Sequence, residues 1–356
     1  MLVRRLLIAA GVLLVGLVAT VAILLRPRPP LDYTASAPPH VTDALAFRDT
    51  RIAESRAAGV PDHNTERLVL HRAGGSEVVF LYIHGFSASR GEGELIVDTL
   101  AAEWSANAWY LRLPGHGGPG EALGEATADQ YFDTVTEALG MARRLGDKVV
   151  IISTSTGAAL AMWAAGTHPD YIDAIVIASP LVRYADPKGN LLLSSAHAEW
   201  MTRQILGAER NVKWTVDPEG RKGEHYDRHW TWRYPSKALV HLDDVRRHAT
   251  RPEVLAKVTQ PALLLTYERD HTRTDGTIDL DAAEAAVATF NGGTPHPLTR
   301  SVEVEDGTHV LMSEHVRTDK DVVLSAIRDF LRDVVGSPPR ERAIQAAPHA
   351  DGPPPG

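Results

Sequence analysis

Apolar and polar positions along this chain follow three different rhythms. The first is no rhythm at all: Leu6 to Leu25 is an apolar run without a charge, preceded by Arg4 and Arg5 and followed by Arg26 and Arg28. A helix of about twenty residues spans ~30 Å, the hydrocarbon thickness of a bilayer. Residues 26–40 then carry Pro27, Pro29, Pro30, Pro38 and Pro39, which predicts an extended tether. Asp43 to Ala58 reads as a helix and Glu66 to His71 as a short strand. After them, short apolar β-branched runs alternate with helical periodicity, the signature of a mostly parallel sheet covered on both faces. The predicted strands are Val78–Ile83, Trp109–Leu113, Val149–Ser153, Ala174–Ala178, Ala262–Thr266 and Ser301–Val304. The predicted helices between them are Glu94–Trp104, Asp129–Leu145, Gly157–Gly166 and Leu280–Phe290. A last helix has Val322, Val323, Ala326, Ile327, Phe330, Leu331 and Val334 on one face at a 3.6 period.

One stretch breaks the alternation. Residues 182–257 hold no convincing strand but carry Trp200, Trp214, Tyr226, Trp230, Trp232, Tyr234 and several histidines. An insertion of this length predicts a separate helical layer over one edge of the sheet. The chain therefore divides into an anchor with the start of the tether (1–30), a first core part (31–181), a helical cap (182–257), a second core part (258–336) and a Pro-, Ala- and Gly-rich disordered tail (337–356).

The apolar run is longer than the ~7–15 residues usual for a secretory signal. The nearest small-x-small site, Ala35-Ser36-Ala37, lies ten residues beyond it and is followed by Pro38. An uncleaved anchor is the preferred reading over a cleaved signal. Arginines on both sides nearly balance the positive-inside rule, and the terminal amine and signal-like position favour a body outside the cytoplasm. With no cysteine in the chain, a bacterial-type lipid anchor, disulfides, thiolate metal sites and a cysteine nucleophile are all excluded. The remainder of the sequence, 44% hydrophobic and 23% charged overall, is that of an ordinary globular protein. Beyond residue 30 it has 33 bases against 45 acids, a balance that argues against a nucleic-acid partner.

The strongest chemical signal is Val149-Val150-Ile151-Ile152-Ser153-Thr154-Ser155-Thr156-Gly157-Ala158-Ala159. An apolar strand runs through a small-x-Ser-x-small turn into a helix of small residues, the pattern of a nucleophile elbow. The bland alternative is a Ser/Thr helix cap. Upstream, His84-Gly85-Phe86 ends a strand, and its backbone N–H is placed to serve an oxyanion together with the N–H of Thr156. Downstream, Asp270 follows a strand and His309 lies in the turn after the last one. The order Ser155, Asp270, His309 is that of a Ser, acid, His triad, in which a base takes the serine proton and an acid fixes its tautomer. Asp275, five residues on, is the alternative acid, with Glu268 less well placed. His84 and His116 read as structural turn histidines and His315 as a surface residue. His225 and His229 stand four apart, but no third ligand or HExxH pattern accompanies them, so no metal is expected. Gly91-Glu92-Gly93 is acidic and lacks the lysine of a phosphate loop.

With these residues in order, the sequence resembles the α/β-hydrolase superfamily, and within it the esterase, monoacylglycerol-lipase and serine-aminopeptidase-like group. The resemblance covers roughly residues 66–335. It rests on the His84-Gly85-Phe86 turn, the Leu113-Pro114-Gly115-His116-Gly117 turn, the Ser155 elbow and the Asp270 and His309 turns. It implies an α/β-hydrolase fold with a helical cap inserted after the sixth strand. It also implies Ser155 as nucleophile, His309 as base, Asp270 as orienting acid, Phe86 and Thr156 as oxyanion donors, and no diffusible cofactor. Ser153 stands where glycine is commoner. A small-molecule ester, lipid-like in view of the anchor and the aromatic cap, is the expected substrate. The alternatives are a peptidase of the same fold, with Asp243-Asp244 holding a substrate amine, or a non-catalytic binding protein.

Overall fold

The computed structural model describes residues 2–212, 226–268, 275–305 and 307–339. The sheet comprises β1 (Arg67–Val69), β2 (Ser76–Ile83), β3 (Asn107–Leu111), β4 (Gly146–Thr154), β5 (Ala174–Ala178), β8 (Ala262–Tyr267) and β9 (Arg300–Val304). A separate two-stranded ribbon is formed by β6 (Glu209–Asn211) and β7 (Arg233–Pro235). The helices are α1 (Leu2–Leu24), α2 (Ala44–Ala57), α3 (Glu94–Trp104), α4 (Glu121–Glu125), α5 (Ala128–Leu145), α6 (Thr156–Thr167), α7 (Pro187–Leu193), α8 (Ala198–Leu206), α9 (Ala238–Ala249), α10 (Pro252–Leu255), α11 (Leu280–Ala288), α12 (Phe290–Gly293) and α13 (Lys320–Val335).

The seven strands lie in the order β1-β3-β2-β4-β5-β8-β9, and only β1 runs antiparallel to its neighbour. The insertion follows β5, the fifth strand, as the run of predicted strands has it and one earlier than the resemblance implies. Strand periodicity explains the two cores. Val79, Leu81, Ile83, Val149, Ile151, Ile175 and Ile177 face the cluster built with α5, α6 and α9. Their neighbours Val78, Phe80, Tyr82, Val150, Ile152 and Val176 face the opposite cluster, closed by α3 and α13. Helix α6 is buried all round between the sheet and its flanking helices, which its alanine and glycine content permits.

Two regions differ from expectation. The C-terminal part of the insertion is not a detached layer: Val245 and Ala249 of α9 and Val254 and Leu255 of α10 join the main core. The proline-rich segment is extended but docked. Arg28 N donates to the Ser194 carbonyl at 2.7 Å, and Ala196 N donates to the Arg26 carbonyl at 2.7 Å. The Arg28 guanidinium reaches Asp243 at 2.7 Å and Asp244 at 3.2 Å. Tyr33 packs on Phe132, Trp163 and His248, and its hydroxyl donates to Asp133 at 2.8 Å. Proline had suggested a spacer; these side chains make it a strap over cap and core.

Candidate active site

The site lies beyond the carboxyl ends of the parallel strands, where open α/β sheets place their ligands. Ser155 sits between β4 and α6 with φ 54° and ψ −112°, a left-handed conformation costly for a residue with a side chain. It is held there from both sides: its N–H donates to the Ala178 carbonyl at 2.8 Å, and its carbonyl accepts from Leu181 N at 3.1 Å. The turn also needs Gly157, whose added Cβ would lie 2.1 Å from the Ile83 carbonyl oxygen. Two residues before the serine, the Ser153 hydroxyl donates to the Val176 carbonyl at 2.9 Å, so a serine is accommodated where glycine is commoner.

His309, in the loop after β9, bridges two groups. Its Nε2 is 2.9 Å from Ser155 Oγ and its Nδ1 is 2.6 Å from Asp275 Oδ2. Asp275 is buried, and its other oxygen accepts from Thr277 N at 2.6 Å and Ile278 N at 3.2 Å. Burial pushes this carboxyl up, but His309 and the two N–H donors outweigh it and hold the carboxyl below its ordinary value. Burial pushes the His309 imidazole down, yet the Asp275 carboxylate prevails, with help from Glu92, and raises it above the ordinary histidine value. Asp270, the acid expected from sequence, lies outside the described residues. The carboxylate brought to His309 is that of Asp275, the alternative weighed for the same loop.

The His84-Gly85-Phe86 turn is pinned through the His84 ring. Leu113 N donates to His84 Nε2 at 3.1 Å, so His84 carries its proton on Nδ1 and donates it to the Gly85 carbonyl at 2.8 Å. Burial pushes this imidazole down to about 4, keeping it neutral. The Gly85 carbonyl and the Phe86 N–H belong to one peptide plane, so fixing the oxygen aims the N–H the opposite way. Thr156 is the first residue of α6, where helix N–H groups have no intrahelical acceptor. Phe86 packs its ring edge-on against Tyr234 of the cap, with centroids 5.4 Å apart.

Sequence reasoning passed over Glu92. Its carboxyl is buried and accepts from Gly85 N at 2.7 Å and from the Tyr82 hydroxyl at 3.2 Å. Burial pushes it up to about 7, against the opposing pull of Gly85 N and of His309. The signal available beforehand was an acid wedged between two glycines, both of which sit against rings: Gly91 on His229 and Gly93 on Tyr82. His229 also stacks on His315, with centroids 5.2 Å apart, while His225 lies outside the described residues. Among the described residues no group of three His, Asp or Glu side chains is arranged to hold a metal. Asp243 is sealed, with Arg28 on one oxygen and Arg246 on the other at 2.8 Å. It is therefore not free to receive a substrate amine.

The sequence profile described as "Alpha/beta hydrolase family" matches residues 78–320. The chain belongs to the alpha/beta hydrolase family. Over 101 residues it is 29% identical to a pimeloyl-[acyl-carrier protein] methyl ester esterase of Neisseria meningitidis. That stretch covers 28% of this chain and 36% of the esterase, so only about a third of the relative's length is spanned. Among solved structures, a chain of the metagenome-derived lipolytic enzymes LipS and LipT matches with TM-score 0.62 at 20% identity, over 77% of this chain and 99% of that one. The Paleococcus ferrophilus monoacylglycerol lipase matches with TM-score 0.55 at 16% identity, over 75% and 98% of the two chains. A monoglyceride lipase of Saccharomyces cerevisiae matches with TM-score 0.51 at 14% identity, over 75% and 91%. These structural likenesses establish the fold.

Proposed function

We propose that this alpha/beta hydrolase is a membrane-anchored serine hydrolase of carboxylic esters, with Ser155, His309 and Asp275 as its triad. The observation that carries the reading is the single imidazole hydrogen-bonded to both the elbow serine and a buried carboxylate. In this reaction Ser155 Oγ attacks the acyl carbon while His309 Nε2 takes its proton. Asp275 holds the imidazole in the Nδ1–H tautomer and stabilises the imidazolium. The tetrahedral oxyanion is received by the N–H groups of Phe86 and Thr156, each worth about 2.7–4 kcal/mol by analogy with other hydrolases. His309 returns the proton to the leaving alkoxide, and water then hydrolyses the acyl-enzyme by the same steps.

The apolar helix α1 is read as a retained anchor with the catalytic body outside the cytoplasm. Support for retention comes from the strap: cleavage after Ala37 would remove Arg28 from the buried Asp243, and Tyr33 from its aromatic seat. The strap attaches the end of α1 to the α7–α8 turn, where Ser195 Oγ donates to the Leu24 carbonyl. Leu191, Trp200 and Ile205 on those two helices are exposed, which favours an apolar, lipid-like ester delivered near the bilayer. The sealing of Asp243 takes one of the two acids of Asp243-Asp244 away from a substrate amine, which favours the ester reading over the aminopeptidase alternative. The test is hydrolysis of p-nitrophenyl esters from acetyl to palmitoyl by the full chain in detergent, beside its Ser155→Ala variant. Ester turnover that vanishes in the variant is expected. A folded wild type without turnover on any chain length refutes the ester assignment.

A further inference from the structure

We propose that Glu92 is a positioning residue of this site: it pins the Gly85–Phe86 turn through the Gly85 N–H and sets the electrostatic balance at His309. The inference rests on the triad reading above. Its geometric basis is the closeness of three parts. Glu92 Oε2 accepts from Gly85 N at 2.7 Å, one residue before the proposed oxyanion donor. A Cβ built on Gly85 would lie 3.1 Å from Glu92 Oε1 and 3.3 Å from Ser155 Cβ, so the carboxyl and the nucleophile flank the same backbone unit. The Gly85–Phe86 peptide is then held at both ends, by Glu92 on the N–H before it and by His84 on its own oxygen.

Among the described residues, the charged and titratable groups facing Glu92 come from two elements. From β2 comes the Tyr82 hydroxyl at 3.2 Å, and from the loop after β9 comes His309, with Asp275 on the far side of its ring. Arg90, the nearest cation in sequence, turns away to Glu94 and to the Thr65 carbonyl, 2.9 Å from its Nε. A buried carboxyl is expensive to ionise, and burial pushes this one up to about 7. Glu92 and His309 each favour the other's charged form. As Glu92 ionises it favours the His309 imidazolium, which holds the base protonated to higher pH.

The test measures phosphonylation of Ser155 by an alkyl fluorophosphonate, on the full chain in detergent between pH 5 and 9. The bond from Ser155 Oγ to phosphorus forms as the P–F bond breaks; fluoride leaves and the serine proton passes to His309. Wild type, Glu92→Gln and Glu92→Ala are compared, with Ser155→Ala as blank. Gln keeps an acceptor for Gly85 N–H and removes the charge. Its plateau rate is expected within about threefold of wild type, with the acid limb moved to lower pH by on the order of half a unit to one unit. Ala removes the acceptor, and a loosened oxyanion turn is expected to slow labelling about tenfold or more at every pH. An unmoved acid limb in Gln, or a wild-type rate in Ala, overturns the role of Glu92 while leaving the triad standing. Wild-type labelling no faster than the blank overturns the triad reading and this inference with it. If Ala does not fold, the acid limb of Gln decides alone.

Discussion

Replacing Gly157 by alanine sets two effects of known sign against each other. Gly157 is the second residue of α6, where local propensity favours alanine by up to ~1 kcal/mol. The packing opposes it. The new Cβ would lie 2.1 Å from the Ile83 carbonyl oxygen, 2.6 Å from that of His84 and 2.7 Å from the Ile83 carbonyl carbon. All three are backbone atoms of the central strand β2 and the His84-Gly85-Phe86 turn, so no side chain can rotate aside. Relief requires α6 and β2 to part by about 1 Å, and overpacking of this kind costs about 1–3 kcal/mol, at the upper end where backbone must move. The expected net effect is a loss of about 1–2 kcal/mol, or a Tm lower by about 1–3 °C for a chain of this size. Because the moved residues carry Ser155 and both proposed oxyanion donors, a displacement of ~1 Å should also slow ester hydrolysis by up to ~100-fold. Thermal melts read with ester turnover measure both. The control is Gly189→Ala in α7, where the nearest atom to a new Cβ is Asp186 Cβ at 3.9 Å; there propensity acts alone and should stabilise by about 0.5–1 kcal/mol. Wild-type stability and turnover in Gly157→Ala would refute the argument that this glycine is required for strand and helix to meet.

Three further outcomes follow from the geometry. Asp275→Asn should lower kcat by about 10³–10⁴ by loss of the imidazole-orienting carboxylate, while Asp270→Asn should change it less than tenfold; steady-state rates of the two variants decide between the acids. Since His309 must be neutral to act as base and is raised above its ordinary value, activity should fall as pH drops through a midpoint above ~6.5, and kcat/KM against pH reads it. Arg28→Ala should destabilise the protein by about 2–3 kcal/mol, because Asp243 stays buried with Arg246 alone, and urea denaturation should register the loss.

Much of this architecture was legible because strands and helices here differ sharply in apolar period. Ala174–Ala178 and Glu94–Trp104 coincide with their predicted bounds, and Asp43, read as the start of a helix, caps α2 through Leu45 N and Ala46 N. The elbow was visible because a strained turn demands small residues at fixed offsets from its serine. The choice between Asp270 and Asp275 was not, since the acid is selected by where a loop brings its carboxylate and not by any period. Asp275 reaches His309 only in space, where Thr277 N and Ile278 N hold its other oxygen. The strap was hidden for a related reason. Its prolines set the local conformation correctly, but the partners of Arg28 and Tyr33 lie more than a hundred residues away in sequence or close to it. The three-residue strands β6 and β7 are too short to leave an alternation.

The central claim is that Ser155 is a nucleophile activated by His309 and Asp275. It is tested most directly by locating the adduct of a fluorophosphonate on the intact protein by mass spectrometry, before and after Asp275→Asn. The account predicts one phosphonyl group per chain on the peptide that carries Ser155, formed far more slowly in the variant. A folded protein that takes no label, or takes it on another residue, would contradict the account.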